Sequence, residues 1–533
     1  MQQFTTILTL LVLVALFSVI ARRLAFPYPI FLMVVGVALS LVVPLLPVVN
    51  TLPRVELNPD IVFTLFLPPI LYAAAWYTSW RDFKANLEPI SVLAIGMVFA
   101  TTFAVAWAAS TFIPGMTWTT AVVLGAIVSP PDAAAATAVT QRLGLPGRIM
   151  TILEGESLVN DASGLVAYKF AVAAVVSGTF SLASATGQFV LLLLAAIPIG
   201  LAVGWIATQI HKALDGLDTA VDITITLLTP FAAYLLAETI HASGVIAVVT
   251  AGLYVGRRAP MLHSSRMRVS AIAVWELFIF LLNGLIFILI GLNLTFILNS
   301  LSPRHTPWEL ALYALVVNAA AIGIRLGFVY AADAVSRLVR KVLKKKLIFT
   351  SWKHTMIIAW TGMRGIVSLA AAFALPYTMH NGEPFPNRDL LLFLTFSVIV
   401  GTLVFQGLTL PTLIRRLNIG SDEAACRTHE KAVRLQAINA AQRYIAEQQH
   451  ALALPDYIVE YVTASHDHRI LHLDHDAEEN EVAVLSVKLH REALDIERQT
   501  VVRLRNQGII SDEVLHRIER DLDIEELRLP EKA

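Results

Sequence analysis

Glu154-Gly-Glu-Ser-Leu-Val-Asn-Asp161 places three carboxylates and an amide inside an apolar run, residues 149–175, that is long enough to cross a bilayer. At a rise of about 1.5 Å per residue, Asp161 lies roughly 18 Å into this run, near the bilayer midplane. An ionisable side chain at that depth costs about 3 kcal/mol or more, so such residues usually line a water-filled path or pair with one another. The stretch therefore predicts a functional site within a membrane span.

A second polar interruption lies upstream, where Ser129-Pro-Pro-Asp132 follows another apolar run. Proline removes a backbone donor and breaks the helix, which leaves carbonyls at membrane depth that need partners. Asp132 either caps the resulting half-helix or contacts a bound ion directly, and the sequence leaves both roles open. We expect the broken span and the acidic span to meet at the same depth.

The composition is that of a polytopic membrane protein, because 56% of the 533 residues are apolar and 15% are charged. Basic and acidic residues balance at 40 each, which gives no indication of nucleic-acid binding, and the single Cys426 excludes a disulfide framework or a cysteine zinc site. Thirteen apolar runs predict an all-α fold with about thirteen transmembrane helices. They cover residues 4–21, 26–47, 61–77, 89–113, 118–141, 149–175, 185–209, 220–240, 243–256, 272–298, 308–333, 353–378 and 388–414.

Basic residues concentrate in alternate loops, all on one side of the predicted membrane domain. The positive-inside rule then places the N-terminus outside and the C-terminus in the cytoplasm, in a multi-pass protein of the plasma (inner) membrane. Beyond about residue 420 the chain becomes charged, with apolar residues at helical spacing and a helix-start signal at Ser511. We therefore divide the chain into a transmembrane domain, residues 1–418, and a cytoplasmic helical tail, residues 419–533.

Thr361-Gly-Met-Arg-Gly365 interrupts the twelfth run as the prolines interrupt the fifth. With six spans between them, the two broken spans run in opposite directions, which predicts inverted repeats, spans four to six and eleven to thirteen, with crossed discontinuous helices. Paired interruptions of this kind indicate a binding site near the midplane.

Ser157, Asn160 and Asp161 stand at i, i+3 and i+4 of a helix, and Glu154 lies two turns before Asp161, so the four share one face. Their oxygen atoms suit a small monovalent cation or a proton. Burial favours the protonated acid, so one carboxylate can hold a proton or a metal ion but not both, which is sufficient for coupled exchange. The alternative is that the stripe only joins helices.

Glu156 lies roughly 140° around the helix from Asp161 and therefore points elsewhere. We predict that it pairs with Arg364, because an unpaired arginine at this depth would be costly. Arg325, in the eleventh span, also needs a partner, which the sequence does not identify.

The stretch from Glu154 to Asp161, with Asp132 in its proline break and Gly362-Met-Arg-Gly365, resembles the monovalent cation/proton antiporter family of NhaP-type bacterial antiporters and animal sodium/proton exchangers. The resemblance covers roughly residues 1–418. It implies a homodimer that exchanges one Na⁺ or Li⁺ for one H⁺ without net charge movement and without a cofactor. It also implies that a core bundle moves like an elevator against a dimerisation part. These two parts correspond to residues 89–175 with 308–416, and to residues 1–77 with 185–298.

The resemblance also implies residue roles. Asp161 would carry the ion and the proton, and Ser157 would be a second Na⁺ ligand. Asn160 would be the neutral partner associated with electroneutral exchange, Asp132 a neighbour of the site, and Glu156 with Arg364 a supporting pair.

Two departures from the family pattern leave the preferred cation open, including K⁺. Pro131 stands where many relatives have threonine before the aspartate, so a hydroxyl ligand there must come from Ser129 or be absent. Ala73 stands where relatives carry an acid after the Leu67-Pro motif.

Other function classes fit less well. An intramembrane aspartyl protease would use Asp132 and Asp161 as a dyad, but the Gly-x-Gly-Asp motif is absent and the asparagine before Asp161 has no role in that chemistry. A channel needs a continuous pore, whereas a broken, inverted pair favours alternating access. An ATP-driven pump would need a Walker loop, which the sequence lacks.

Overall fold

A computed structural model describes most of the chain, and its regular structure is helical apart from one isolated bridge between Thr378 and Pro384. The described residues are 2–24, 26–42, 62–132, 145–177, 182–214, 218–262, 265–301, 305–342, 351–379, 382–419, 423–452, 455–460, 462–463, 481–507, 509 and 511–526. The chain forms two compact units, Met1–Ser421 and Asp422–Ala533.

The described residues in the first half of the larger unit form eight helices. These are α1 (Gln2–Arg23), α2 (Tyr28–Val42), α3 (Leu67–Tyr77, preceded by a π-helical turn Val62–Phe66), α4 (Trp80–Ala85), α5 (Leu87–Ser91), α6 (Met97–Phe112, joined to α5 by a π-helical turn Val92–Gly96), α7 (Trp118–Val128) and α8 (Gly147–Ser177).

Nine helices follow among the described residues of the second half of that unit. These are α9 (Leu182–Leu214), α10 (Thr219–Thr239), α11 (Gly244–Leu262), α12 (Ser265–Leu292), α13 (Leu294–Leu301), α14 (Pro307–Val342), α15 (Trp352–Trp360), α16 (Ile366–Phe373) and α17 (Arg388–Leu417).

Each predicted span contains a helix or a pair of half-helices, so the predicted fold class is confirmed. Eight stretches of the described chain are long and apolar enough to cross a membrane, and three shorter apolar helices accompany them. The helices extend beyond the predicted spans where they are polar: α12 begins at Ser265 and α14 continues to Val342. Hydropathy marks only the apolar part of a helix, whereas backbone hydrogen bonding continues into the charged end.

Both predicted interruptions are present. Helix α7 ends at Val128, directly before Ser129-Pro-Pro-Asp132, and residues 361–365 form a non-helical link between α15 and α16. The second half of predicted span five, residues 133–141, lies outside the described residues, which resume at Leu145.

The helices of the larger unit pack in two groups. Helix α7 packs against α6, α8, α16 and α17, while α14 contacts α6, α15 and α17. In the other group α12 packs on α2, and α11 contacts α3, α9 and α10. Helix α8 reaches across to α3 and α11. The division into a moving core and a dimerisation part stays a prediction.

The smaller unit contains α18 (Glu423–Leu452), α19 (Glu481–Asn506) and α20 (Asp512–Glu526). Leu494, Leu515 and Leu522 are buried between α19 and α20, where Arg498 donates hydrogen bonds of 2.8 Å each to Asp523 and Glu526. The predicted helix start is confirmed, since the Ser511 hydroxyl accepts a hydrogen bond from the backbone N–H of Val514 (3.3 Å).

Candidate functional site

The two interrupted spans meet, and each one hydrogen-bonds backbone groups that the break in the other leaves without an intrahelical partner. The Asp132 backbone N–H donates to the carbonyl oxygen of Met363 (2.7 Å). In return, Arg364 Nε donates to the carbonyl oxygen of Val128 (2.9 Å), the last residue of α7. Proline and extended backbone leave such groups without intrahelical partners, and here the opposite break supplies them.

Glycine is required at both ends of the link 361–365. A Cβ atom at Gly365 would overlap the Asp132 carboxylate, and one at Gly362 would overlap the Arg325 side chain. The Gly-x-x-Gly pattern therefore serves close approach, which places the Asp132 carboxylate against the backbone of the second break.

Helix α8 packs against this crossing as predicted. Asn160 Nδ2 donates to the carbonyl oxygen of Pro131 (3.2 Å), and Gly164 packs against the ring of Pro130. The acidic span and the proline break therefore lie at the same depth. Asn160 connects α8 directly to the backbone beside Asp132.

Another side of α8 faces the other helix group. Leu158 and Ala162 belong to a buried apolar cluster with Leu67 and Leu71 of α3. We call this boundary between α8 and helices α3 and α11 the seam.

Ser157 and Asp161 lie between these two sides of α8. With about 100° of rotation per residue, their directions fall between that of Gly164, which meets the proline break, and that of Leu158, which meets the seam. Asp161 is 6% exposed, and its carboxylate makes no hydrogen bond or ion pair within the described chain. Ser157, one turn away on the same side, is partly exposed. Asp132 and Asp161 are linked through their sequence neighbours, because Asn160 donates to the carbonyl oxygen of Pro131.

Glu156 pairs with Arg325, so the predicted bridge between Glu156 and Arg364 is wrong. Arg325 Nη1 and Nη2 donate to the two carboxylate oxygens of Glu156 at 2.6 and 2.9 Å, and both side chains are buried. This bidentate geometry is the strongest that the two groups can form. It also supplies the partner for Arg325 that the sequence did not identify.

Arg364 is held by backbone oxygens instead. Besides the bond to Val128, its Nη1 donates to the carbonyl oxygen of Gly362, and its backbone N–H donates to Thr402 Oγ1 on α17 (3.1 Å). The carbonyls opened by the two breaks thus stabilise a buried guanidinium, which our prediction had assigned to a carboxylate. Arg364 supports the crossing, but not through Glu156.

The remaining predicted residues have the following positions. The Ser129 hydroxyl donates back to the carbonyl oxygen of Ala126 in α7 (2.9 Å). Glu154 is partly exposed on α8. Ala73 is buried in the apolar cluster of the seam. The roles of these residues in ion binding stay predictions.

A polar stripe on α17, which was not predicted from the sequence, also contributes to the site. Thr395, Thr402, Gln406 and Thr409 recur at spacings of seven, four and three, which places them on one helix face. Thr402 accepts from Arg364, and Thr409 Oγ1 accepts from the indole Nε1 of Trp360 (3.0 Å). Polar residues at helical spacing within an apolar span could have predicted this stripe. Its hydrogen bonds to Arg364 and Trp360 stabilise the second break.

Comparison with known proteins identifies the family. The transmembrane domain family described as "Sodium/hydrogen exchanger, transmembrane" matches residues 8–416. The chain belongs to this family. The exchanger is therefore a multi-pass cation/proton transporter of the antiporter class rather than an enzyme.

Relatives that match most or nearly all of the chain agree with this assignment. An uncharacterized Na⁺/H⁺ exchanger of Mycobacterium tuberculosis is 33% identical over 99% of this chain and 96% of its own length. The "Sodium, potassium, lithium and rubidium/H⁺ antiporter" of Bacillus pumilus is 33% identical over 78% of this chain and 61% of its own. The sodium proton antiporter MjNhaP1 of Methanocaldococcus jannaschii has a similar fold, with a TM-score of 0.60 at 19% identity, over 78% of this chain and 99% of that one.

Proposed function

We propose that this exchanger moves one Na⁺ or Li⁺ against one H⁺ without net charge movement, and that Asp161 binds each in turn. The observation that carries the proposal is a buried Asp161 with no partner in the described chain, beside the crossing of two broken spans. A carboxylate in that position needs a bound cation or a proton to offset its burial.

The charges of the crossing support one-for-one exchange. The crossing contains three carboxylates, of Asp132, Glu156 and Asp161, and two guanidiniums, of Arg325 and Arg364, so the ionised site carries a net charge of −1. One Na⁺ or one H⁺ brings this charge to zero, and either form can then cross low-dielectric surroundings at similar cost. Two bound cations would leave a surplus charge.

The ligands that we propose for Na⁺ are Asp161 and Ser157, with Asp132 beside them. Asn160 supplies an uncharged amide at a position where another carboxylate would make the exchange electrogenic. Its Nδ2 is engaged with Pro131, and its Oδ1 is buried without a hydrogen bond in the described chain. We assign Asn160 to holding α8 against the break, and Glu156, Arg325 and Arg364 to supporting the crossing.

An elevator mechanism fits the position of the site beside the seam. The seam contacts at Leu158, Ala162, Leu67 and Leu71 are apolar, and apolar surfaces can slide without breaking hydrogen bonds. We propose that the core helices move along this boundary in a homodimer of the plasma membrane. The N-terminus would face outside and the tail would face the cytoplasm.

K⁺/H⁺ exchange is the second candidate, because two oxygen ligands expected of the family are missing. Pro131 lacks a side-chain oxygen, the Ser129 hydroxyl is turned into its own helix, and Ala73 lacks a carboxylate. A poorer ligand set discriminates less between small and large alkali cations. The relative from Bacillus pumilus is named for sodium, potassium, lithium and rubidium.

The test is a cation series in proteoliposomes that contain the purified exchanger and a proton-sensitive dye. Na⁺, Li⁺, K⁺ and Rb⁺ are added separately across a pH range. We expect Na⁺ and Li⁺ to drive proton movement. Because the exchange moves no net charge, this movement should not require a K⁺ and valinomycin shunt that dissipates a membrane potential. Proton movement when K⁺ is the only alkali cation added would establish the second candidate. Absence of proton movement with all four cations would contradict antiport.

A further inference from the structure

Glu154 is a carboxylate for which the exchange scheme above has no use. It precedes Asp161 by seven residues on α8, and seven residues complete almost two full turns. Glu154 therefore lies on the same face as Asp161, about 10 Å away along the helix axis, with Ser157 between them. Its neighbours Leu153 and Gly155 are buried, whereas Glu154 is partly exposed.

Glu154, like Asp161, has no basic partner in the described chain, whereas three other acids on the membrane helices contact a basic side chain. Glu156 pairs with Arg325, Asp222 contacts His211, and Asp333 pairs with Arg337. Glu154 makes neither a hydrogen bond nor an ion pair within the part of the chain that the structure describes. An unpaired carboxylate in a membrane span is costly, and structural support for the fold does not require one.

The position of Glu154 relative to Asp161 indicates its direction of action. Arg148 lies in the first turn of α8, the end that the positive-inside rule places in the cytoplasm. A cation that enters the polar face of α8 from this end passes Glu154 before it reaches Ser157 and Asp161. The angular order of side chains on α8 places this route beside the seam, which is the boundary that must open for access.

We propose that Glu154 is a cation-binding residue at the cytoplasmic mouth of the site, where it concentrates monovalent cations and passes them to Asp161. This inference rests on the proposed antiport function. A fixed negative charge flanked by low-dielectric walls raises the local cation concentration, and the effect weakens as salt screens it. The carboxylate does not move with the cation, so it acts on cation capture and not on the number of ions exchanged.

The test uses the Glu154→Gln exchanger in proteoliposomes of known orientation, with Na⁺ supplied to one face at a time. Removing a unit charge about 10 Å from Asp161 should raise the apparent KM for Na⁺ at the cytoplasmic face about tenfold. The maximal rate should stay within about twofold of the original, because capture and not translocation is affected. With Na⁺ supplied at the opposite face, KM should change less than about twofold, because that route does not pass Glu154.

Three control variants make the result specific. Glu154→Asp retains the charge and should keep the original KM, while Glu154→Ser is a second neutral variant that should reproduce the increase. Glu88→Gln removes an exposed charge on α5, at the same end of the domain, where Glu88 lies beside Val329 and Ser336 of α14. This variant should leave the KM for Na⁺ unchanged.

An unchanged KM at the cytoplasmic face in Glu154→Gln would overturn the inference. An equal rise at both faces would also overturn it, because the residue would then act on the central site and not on one route. Failure of the proposed function is a different result: the exchanger without any substitution would show no cation-dependent proton movement.

Discussion

Glu156 on α8 and Arg325 on α14 form two parallel hydrogen bonds, of 2.6 and 2.9 Å, between fully buried side chains. Arg325 Nη2 also donates to the carbonyl oxygens of Ile358 (3.1 Å) and Thr361 (3.2 Å), where α15 gives way to the non-helical link. One guanidinium thus joins the acidic helix, its own helix and the end of α15. The pair fixes the frame in which Asp161 and the two breaks are held.

We predict that Glu156→Gln destabilises the exchanger by about 3–5 kcal/mol, because it leaves the Arg325 charge buried without its counter-ion. The measurement is thermal unfolding of the detergent-solubilised protein, together with folded yield. Exchanging the two charges, Glu156→Arg with Arg325→Glu, should recover part of the loss. The same exchange with Arg364 in place of Arg325 should recover none. Unaltered unfolding of Glu156→Gln would refute the pairing.

Gly365→Ala should greatly reduce or abolish exchange, because the new methyl group would displace the Asp132 carboxylate that lies against this backbone. Initial rates of Na⁺-dependent proton movement in proteoliposomes measure the effect. The matched control is Gly327→Ala on α14, where nothing lies within 4 Å of the added atom and activity should be retained. Equal activity of the two variants would contradict the described contact.

Thr402→Val should destabilise the exchanger by about 1–3 kcal/mol, because the buried backbone N–H of Arg364 loses its acceptor. Thr402→Ser keeps the hydroxyl and should unfold like the original. The control is Thr395→Val on the same face of α17, since the Thr395 hydroxyl is buried and has no hydrogen-bond partner in the described chain. If Thr395→Val were as damaging as Thr402→Val, the contact with Arg364 would not explain the loss.

Asn160→Asp should retain some exchange and make it sensitive to membrane potential. The substitution adds a fourth carboxylate to the crossing, so the ionised site carries −2 and one bound cation no longer neutralises it. Transport rates measured with and without a valinomycin-set potential distinguish the two forms. The original exchanger should be insensitive, and an equally insensitive Asn160→Asp variant would contradict the charge count.

Much of the fold follows from local chemistry that the sequence displays. Two prolines before Asp132 break a helix and two glycines around Arg364 weaken one, so both breaks could be placed. The spacing of Ser157, Asn160 and Asp161 could be placed on a helix because α-helical rotation is fixed. The helix ends at Ser265 and Val342 could not be predicted from the sequence. Hydropathy marks only the apolar part of a helix, whereas the helix itself continues into charged residues.

The partner of Glu156 was mispredicted for a physical reason. Helical rotation showed that Glu156 points away from Asp161, but Arg325 is 169 positions away in sequence and its direction depends on how α14 packs. Arg364 was chosen because it lies in the second break. That choice neglected the carbonyls of Val128 and Gly362, which the breaks free and which are sufficient to hold a guanidinium.

The measurement that tests the central claim most directly is Na⁺-dependent proton movement by Asp161→Asn in proteoliposomes that contain a proton-sensitive dye. Asparagine preserves the size and polarity of the side chain, but it can neither release a proton at physiological pH nor neutralise a cation. We predict that a protein folded as well as the original shows no exchange above the protein-free control, with every cation of the series. Exchange at the original rate by this variant would contradict the assignment of Asp161 as the carrier.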